Sequence, residues 1–343
     1  MNRRENFIDI AKSIGIFLVV LGHTEIDQNL KTFIYSFHMP LFFIISGFLL
    51  KIESNFKEFF LKRFKRLILP YFIFSFLTYL FWIFVTGRHG IGLVSEIGYL
   101  KPVIGTLIGL SHNDYLVHNI SLWFLYVLFL TELIYFYISR IKNQVLLFIV
   151  PIILSFIGYV VTNKLHLRLI YGFEKVLIAQ VFYFSGFIIK KNNLQVNIKK
   201  LSIYKILYLC LIFFVLNQYF TKINGFVDLV GNLFGKNFII YYLNGFSGSF
   251  MVIFLSLMVE KLNSGRKVFE LVSKSTLYIL GFHEQVLTLI FGIILILFKK
   301  EPEVYKSILV LNIIFSLLIC IGIEIIYILI LNLKDKFKKT IKI

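Results

Sequence analysis

Charge is scarce in this sequence. Asp, Glu, Lys and Arg together make up 16% of its 343 residues, where a soluble domain carries about 25%. That deficit excludes an ordinary water-soluble enzyme of this length. Cysteine is scarcer still. Cys210 and Cys320 both lie inside apolar runs, so no disulfide framework or redox pair is available and no zinc spacing is formed. The sequence also lacks a nucleotide-binding loop, a Ser-His-Asp signature, an internal repeat and any low-complexity segment. Acidic residues number 18 against 36 basic ones, a net charge of +18. In a soluble protein that excess would favour nucleic acid. Here the basic residues collect between apolar runs, as loops on the cytoplasmic side of a membrane do.

What the sequence does contain is hydrophobic surface. Apolar types reach 58%, and Phe alone supplies 40 residues. A helix needs about 20 apolar residues to cross the hydrocarbon core of a bilayer. Ten stretches qualify as predicted spans, at roughly 7–24, 32–50, 67–86, 119–138, 145–163, 175–189, 201–222, 238–259, 276–298 and 307–332. The expected fold is an all-α integral membrane protein of about ten transmembrane helices. It forms a single transmembrane domain over 1–343 with a basic tail at 333–343. Arg3 and Arg4 before an apolar stretch look like a signal peptide, but no small-residue cleavage site follows and the stretch holds Asp9, Lys12 and His23. It reads as a retained first span.

Orientation follows from the basic residues. With the N-terminus in the cytoplasm, 24 of the 36 Lys and Arg fall in inside segments, 11 fall outside, and Lys12 lies within a span. This is the bias of the positive-inside rule, and it supports an even number of crossings with both termini cytoplasmic. The segment 91–110 is apolar but carries Gly92, Gly98, Gly105, Gly109 and Pro102. It reads as a re-entrant or interfacial piece.

Ionisable groups inside a span cost about 2.5–3.5 kcal/mol each on insertion scales, so each one needs a reason. Lys12 and His23 are 11 residues apart. At 100° per residue they return to the same helix face within about 20°, separated by roughly 16 Å along the axis. Asp9 sits three residues before Lys12, within pairing reach. His38 precedes Pro40 in the second stretch, with Ser46 and Gly47 further on; the ninth carries His283, Glu284 and Gln285. Together these residues can line one water-filled cavity. Two readings stand for His38: cavity wall or interhelical hydrogen bond. Glu132 and Glu324 can line the same cavity, lie near the inner surface or pair with loop lysines. Lys62, Arg63, Lys65 and Arg66 form a basic segment in which Arg63 and Arg66 are neighbours on one helix face. A guanidinium pair suits phosphate; a basic loop also suits anionic lipid.

Several segments, in order along the chain, resemble the acyltransferase-3 family of membrane acyltransferases, particularly its stand-alone polysaccharide O-acetyltransferases of the fucose-acetylase type. Asn6-Phe-Ile-Asp9-Ile-Ala-Lys12 through Gly22-His23 is similar to the family's basic-residue–ten–His motif. Phe37-His-Met-Pro-Leu-Phe-Phe-Ile-Ile-Ser-Gly-Phe48 resembles its second-span signature, and Arg63-Phe-Lys-Arg66 running into Leu69-Pro70-Tyr71 resembles its Arg-x-x-Arg motif. Weaker echoes are Leu122-Trp123-Phe124-Leu125 and Ser275 through His283. The resemblance implies ten spans and an O-acyltransferase of the cell membrane. The donor would be cytoplasmic acyl-CoA, usually acetyl-CoA, and the acceptor a polysaccharide or lipid-linked sugar, with no metal. It implies His23 as the catalytic residue, with Lys12 assisting and Arg63 and Arg66 at the donor. Asp9, His38, Ser46, His283 and Glu284 are expected to support the cavity. The family often has Arg where this chain has Lys12. The chain also ends soon after its last span, which suggests that it lacks the extracytoplasmic hydrolase-like domain of many relatives. A glycan or solute transporter with proton-coupling residues is the alternative.

Overall fold

The structure is a computed structural model that describes residues 5–88, 92–263, 265–298 and 308–341. Arg3, Arg4, Lys299, Lys300, Lys306 and Lys342, which enter the charge count, lie outside the described residues. Among the described residues the chain is helical, and its only bridge between extended residues joins Asp228 to Leu233. Eight helical segments among the described residues are long and apolar enough to cross a bilayer, which makes this a multi-pass membrane protein.

The chain divides into two units, Met1–Ile34 with Val252–Ile343, and Tyr35–Met251. In the first unit, α1 (Asn6–Gly22) packs on α14 (Arg266–Phe298) and on α15 (Leu309–Ile341). At 17 residues, α1 is about 26 Å long, slightly under the thickness of the hydrocarbon core. Ser273 of α14 lies against Asp9 and Lys12 of α1, and His283 lies against His23. The two helices therefore run in the same direction. Both α14 and α15 are 33 residues long, so the basic segment before the ninth span and most of the basic tail are helical extensions of spans.

The second unit is built around α10 (Phe173–Lys191), against which α3 (His38–Phe48), α8 (Trp123–Ile138) and α9 (Gln144–Asn163) pack. The α3–α10 contact is backbone against backbone. A Cβ built on Gly186 would sit 1.8 Å from the Ile44 carbonyl oxygen, and one on Gly47 would sit 1.9 Å from that of Tyr183. The small residues expected to permit close helix approach do so here.

The second predicted span, 32–50, is corrected. It is two helices, α2 (Gln28–Tyr35) and α3, broken at Ser36 and Phe37. Pro40 supplies the reason. In one continuous helix its ring would meet the Ser36 carbonyl and its missing N–H would break the ladder. As the third residue of a new helix it loses nothing, because first-turn N–H groups have no intrahelical partner.

The basic segment expected as a loop is also mostly helical. Asn55 accepts a bond from the Lys57 N–H and starts α4 (Phe56–Arg63). A π-turn over Phe64–Ile68 then passes directly into α5 (Leu69–Phe84). Between α5 and α8, α6 (Val94–Ile97) and α7 (Leu100–Ile108) are too short to span, in keeping with a piece that does not cross. In chain order α11 (Leu194–Lys200), α12 (Ile203–Asn224) and α13 (Phe238–Lys261) follow α10.

Candidate active site

Two polar clusters lie along α1, one near each end. At the first, Ser273 donates to Asp9 Oδ1 at 2.6 Å and Lys12 Nζ donates to Ser273 Oγ at 3.4 Å. Ser13 closes the contact by donating to the Phe269 carbonyl at 2.9 Å. Asp9 and Lys12, expected as neighbours on one face, meet on a hydroxyl of α14. Ser273 was not among the expected site residues. A signal for it existed: Ser273 precedes His283 by ten residues, nearly the spacing of Lys12 and His23.

The second cluster is at the helix end. His23 follows the last residue of α1 and keeps a helical backbone, with its N–H bonded to the Val19 and Val20 carbonyls. Its Nδ1 lies 3.6 Å from Glu284 Oε1, and its ring stands edge-on to that of His283 with centroids 4.9 Å apart. His23 and Glu284 keep about a quarter of their side-chain surface exposed, whereas His283 is fully buried. One ring nitrogen of His283, Nδ1, lies 2.9 Å from the Ile279 carbonyl oxygen and 3.1 Å from that of Leu280. Carbonyls only accept, so Nδ1 carries the proton and Nε2 the lone pair. Nε2 is buried with no hydrogen-bond partner among the described residues. His23, His283 and Glu284 each offer a ligand atom within 4.8 Å of the other two, so this group can approach a metal ion although no sequence spacing signals it.

The arginine pair belongs to the second unit. Arg63 Nε lies 2.7 Å from Glu132 Oε2, and Arg66 Nη2 lies 3.1 Å from Glu132 Oε1. Glu132 is 1% exposed and the Arg63 side chain 9%, but that of Arg66 is 48% exposed. Arg63 also donates to the Lys51 carbonyl at 3.1 Å and lies over the Phe59 ring. The two guanidiniums share one buried carboxylate, and Arg66 alone keeps substantial surface. The π-turn at this point is the kind of helical irregularity that often marks functional segments.

His38 and Ser46 are on α3 in the second unit. His38 is buried with its ring against Tyr35, and Ser46 is half-buried one residue before the Gly47 contact. Glu324 is buried on α15 of the first unit. A buried ion pair escaped the sequence reading. Glu174 and Lys175, side by side at the start of α10, are 2.6 Å apart and almost wholly inaccessible. Glu174 also accepts from the Leu169 N–H at 3.0 Å and from Asn232 at 3.2 Å, holding two loops to α10. Among the loop imidazoles, desolvation pushes His118 down to about 4. It is neutral at physiological pH and poorly suited to take up a proton.

The acyltransferase-3 family model, an acyltransferase domain, matches residues 5–330. The chain belongs to that family and is a membrane acyltransferase. No curated protein and no solved structure matches it.

Proposed function

We propose that this acyltransferase moves an acetyl group from cytoplasmic acetyl-CoA to a hydroxyl of a cell-surface or lipid-linked polysaccharide, at the plasma membrane. The observation that carries the reading is the approach of His23 to Glu284 at the end of α1, in a chain of this family. His23 takes the proton of the acceptor hydroxyl, and Glu284 favours the imidazolium that forms. The hydroxyl oxygen attacks the thioester carbonyl, the C–S bond breaks, and the departing CoA thiolate recovers the proton. In transfer by way of acyl-His23, an imidazole nitrogen attacks the thioester carbonyl and the CoA thiolate leaves with the ring proton; the acceptor hydroxyl then attacks the acyl-imidazole, the C–N bond breaks, and the hydroxyl proton passes to the freed imidazole. Lys12, held with Asp9 on Ser273, provides a positive charge along the same helix for the donor. Arg66, the exposed member of the arginine pair, contacts the CoA phosphates, and Arg63 positions it through Glu132. Asp9 supports Lys12 and His283 supports His23 within the first unit.

The test is His23→Gln, which keeps size and some hydrogen bonding but cannot take up a proton at neutral pH. The variant is expected to accumulate in membranes near wild-type levels and to lose glycan acetylation by at least about a hundredfold, read by mass spectrometry of surface glycans. Full activity removes the assignment. Loss of glycan export with unchanged acetylation would point to a transporter instead.

A further inference from the structure

We infer that His23, His283 and Glu284 form a divalent transition-metal site, of the Zn2+ class, that shares His23 with the transfer reaction. The inference rests on the catalytic reading of His23 for its consequence but not for the site itself. Two imidazoles and a carboxylate are the ligand set of many zinc centres. Their donor atoms lie within 4.8 Å of one another, and tetrahedral ligands at about 2.1 Å from zinc are about 3.4 Å apart. Closing that gap takes about an ångström of side-chain rotation, which the part-exposed His23 and Glu284 allow.

The independent observation is His283. It is fully buried, its Nδ1–H is held by the Ile279 and Leu280 carbonyls, and its Nε2 lone pair has no hydrogen-bond partner among the described residues. Burying an acceptor without a partner costs about 1–3 kcal/mol. An imidazole whose outer N–H is fixed by backbone carbonyls while its other nitrogen stays bare is oriented as metal-ligating histidines are. The exposed quarter of His23 and Glu284 leaves room for water as a fourth ligand.

The donors are spread wider than a closed zinc cage. The resting arrangement is therefore the His23–Glu284 pair, and the ion competes with it: a metal on His23 occupies a ring lone pair and draws Glu284 away. Transfer and metal binding are mutually exclusive.

The experiment uses the untagged full-length protein in detergent micelles, with Co2+ as the probe. Wild-type protein is expected to take up one equivalent of Co2+, with visible absorption bands that Zn2+ abolishes by displacement. His283→Gln and Glu284→Gln should each weaken uptake by at least about tenfold, the lower scale for disturbing such a site. If His283→Gln does not yield folded protein, Glu284→Gln decides. In the wild type, Zn2+ should suppress acetyl transfer, and a chelator should restore it. Absence of saturable Co2+ binding, or binding unchanged in the variants, overturns the metal site while leaving the His23→Gln result to judge the acyltransferase reading separately.

Discussion

Arg63 and Arg66 show how three residues of separation divide one motif into two tasks. Arg63 is enclosed with Glu132, and removing one partner from such a buried pair costs about 3–5 kcal/mol because the other charge is left without compensation. Arg66 loses only an exposed contact, worth little by itself. Arg63→Gln and Glu132→Gln are therefore expected to lower membrane accumulation and the melting temperature in detergent. Arg66→Gln should leave both unchanged and raise the apparent KM for acetyl-CoA. An Arg63→Gln protein that accumulates normally and shifts only KM would reverse the assignment. The motif was legible in the sequence, but the division of labour was not, because it depends on a glutamate 66 residues beyond Arg66.

At the scale of elements, α3 and α10 are held by close approach. In lipid, apolar side chains gain little by leaving the bilayer, so backbone packing and interhelical polar contacts carry helix association. Gly186 has carbonyl oxygen where a methyl group would go. Gly186→Ala should force the helices apart at a cost of about 1–3 kcal/mol, the scale of overpacking, seen as a lower melting temperature. Gly292 on α14 has nothing within 4 Å of a built Cβ, so Gly292→Ala is the matched control and should be neutral or stabilising by up to about 1 kcal/mol. Equal losses in both would show that the loss at Gly186 does not come from the α3–α10 contact. The same reasoning applies to α12 and α13, where Asn217 donates to the Asn244 carbonyl at 3.0 Å and to Ser36 at 3.0 Å. A polar clasp of this kind holds helices where hydrocarbon offers no competing partner.

At the scale of the whole molecule, the parallel course of α1 and α14 agrees with their being the first and ninth of ten alternating crossings. Ten crossings also require that α1 and the broken α2–α3 pair each traverse the bilayer. Lys57 on α4 and Lys267 on α14 are both exposed and belong to segments assigned to the cytoplasm. Cysteines placed at either position should resist an impermeant thiol reagent in intact cells and react after permeabilisation. Labelling of either in intact cells would overturn the orientation.

The amino-acid sequence by itself determined the membrane class, the positions of most spans and the helix-face alignment of Lys12 with His23. Each of these follows from local composition or from a period of 3.6 residues, which operate within one element. The sequence also showed Pro40, but not that the chain would break there rather than kink, since that choice depends on what receives the freed backbone groups. The tertiary structure decided which residues meet. It brought Ser273 to Asp9 and Lys12, His283 and Glu284 to His23, and Glu132 to both arginines. All of these contacts join different helices, in the first two cases across some 260 residues. A partner so distant leaves no periodic trace, because its position is set by packing between helices and not by the geometry of the helix that carries it.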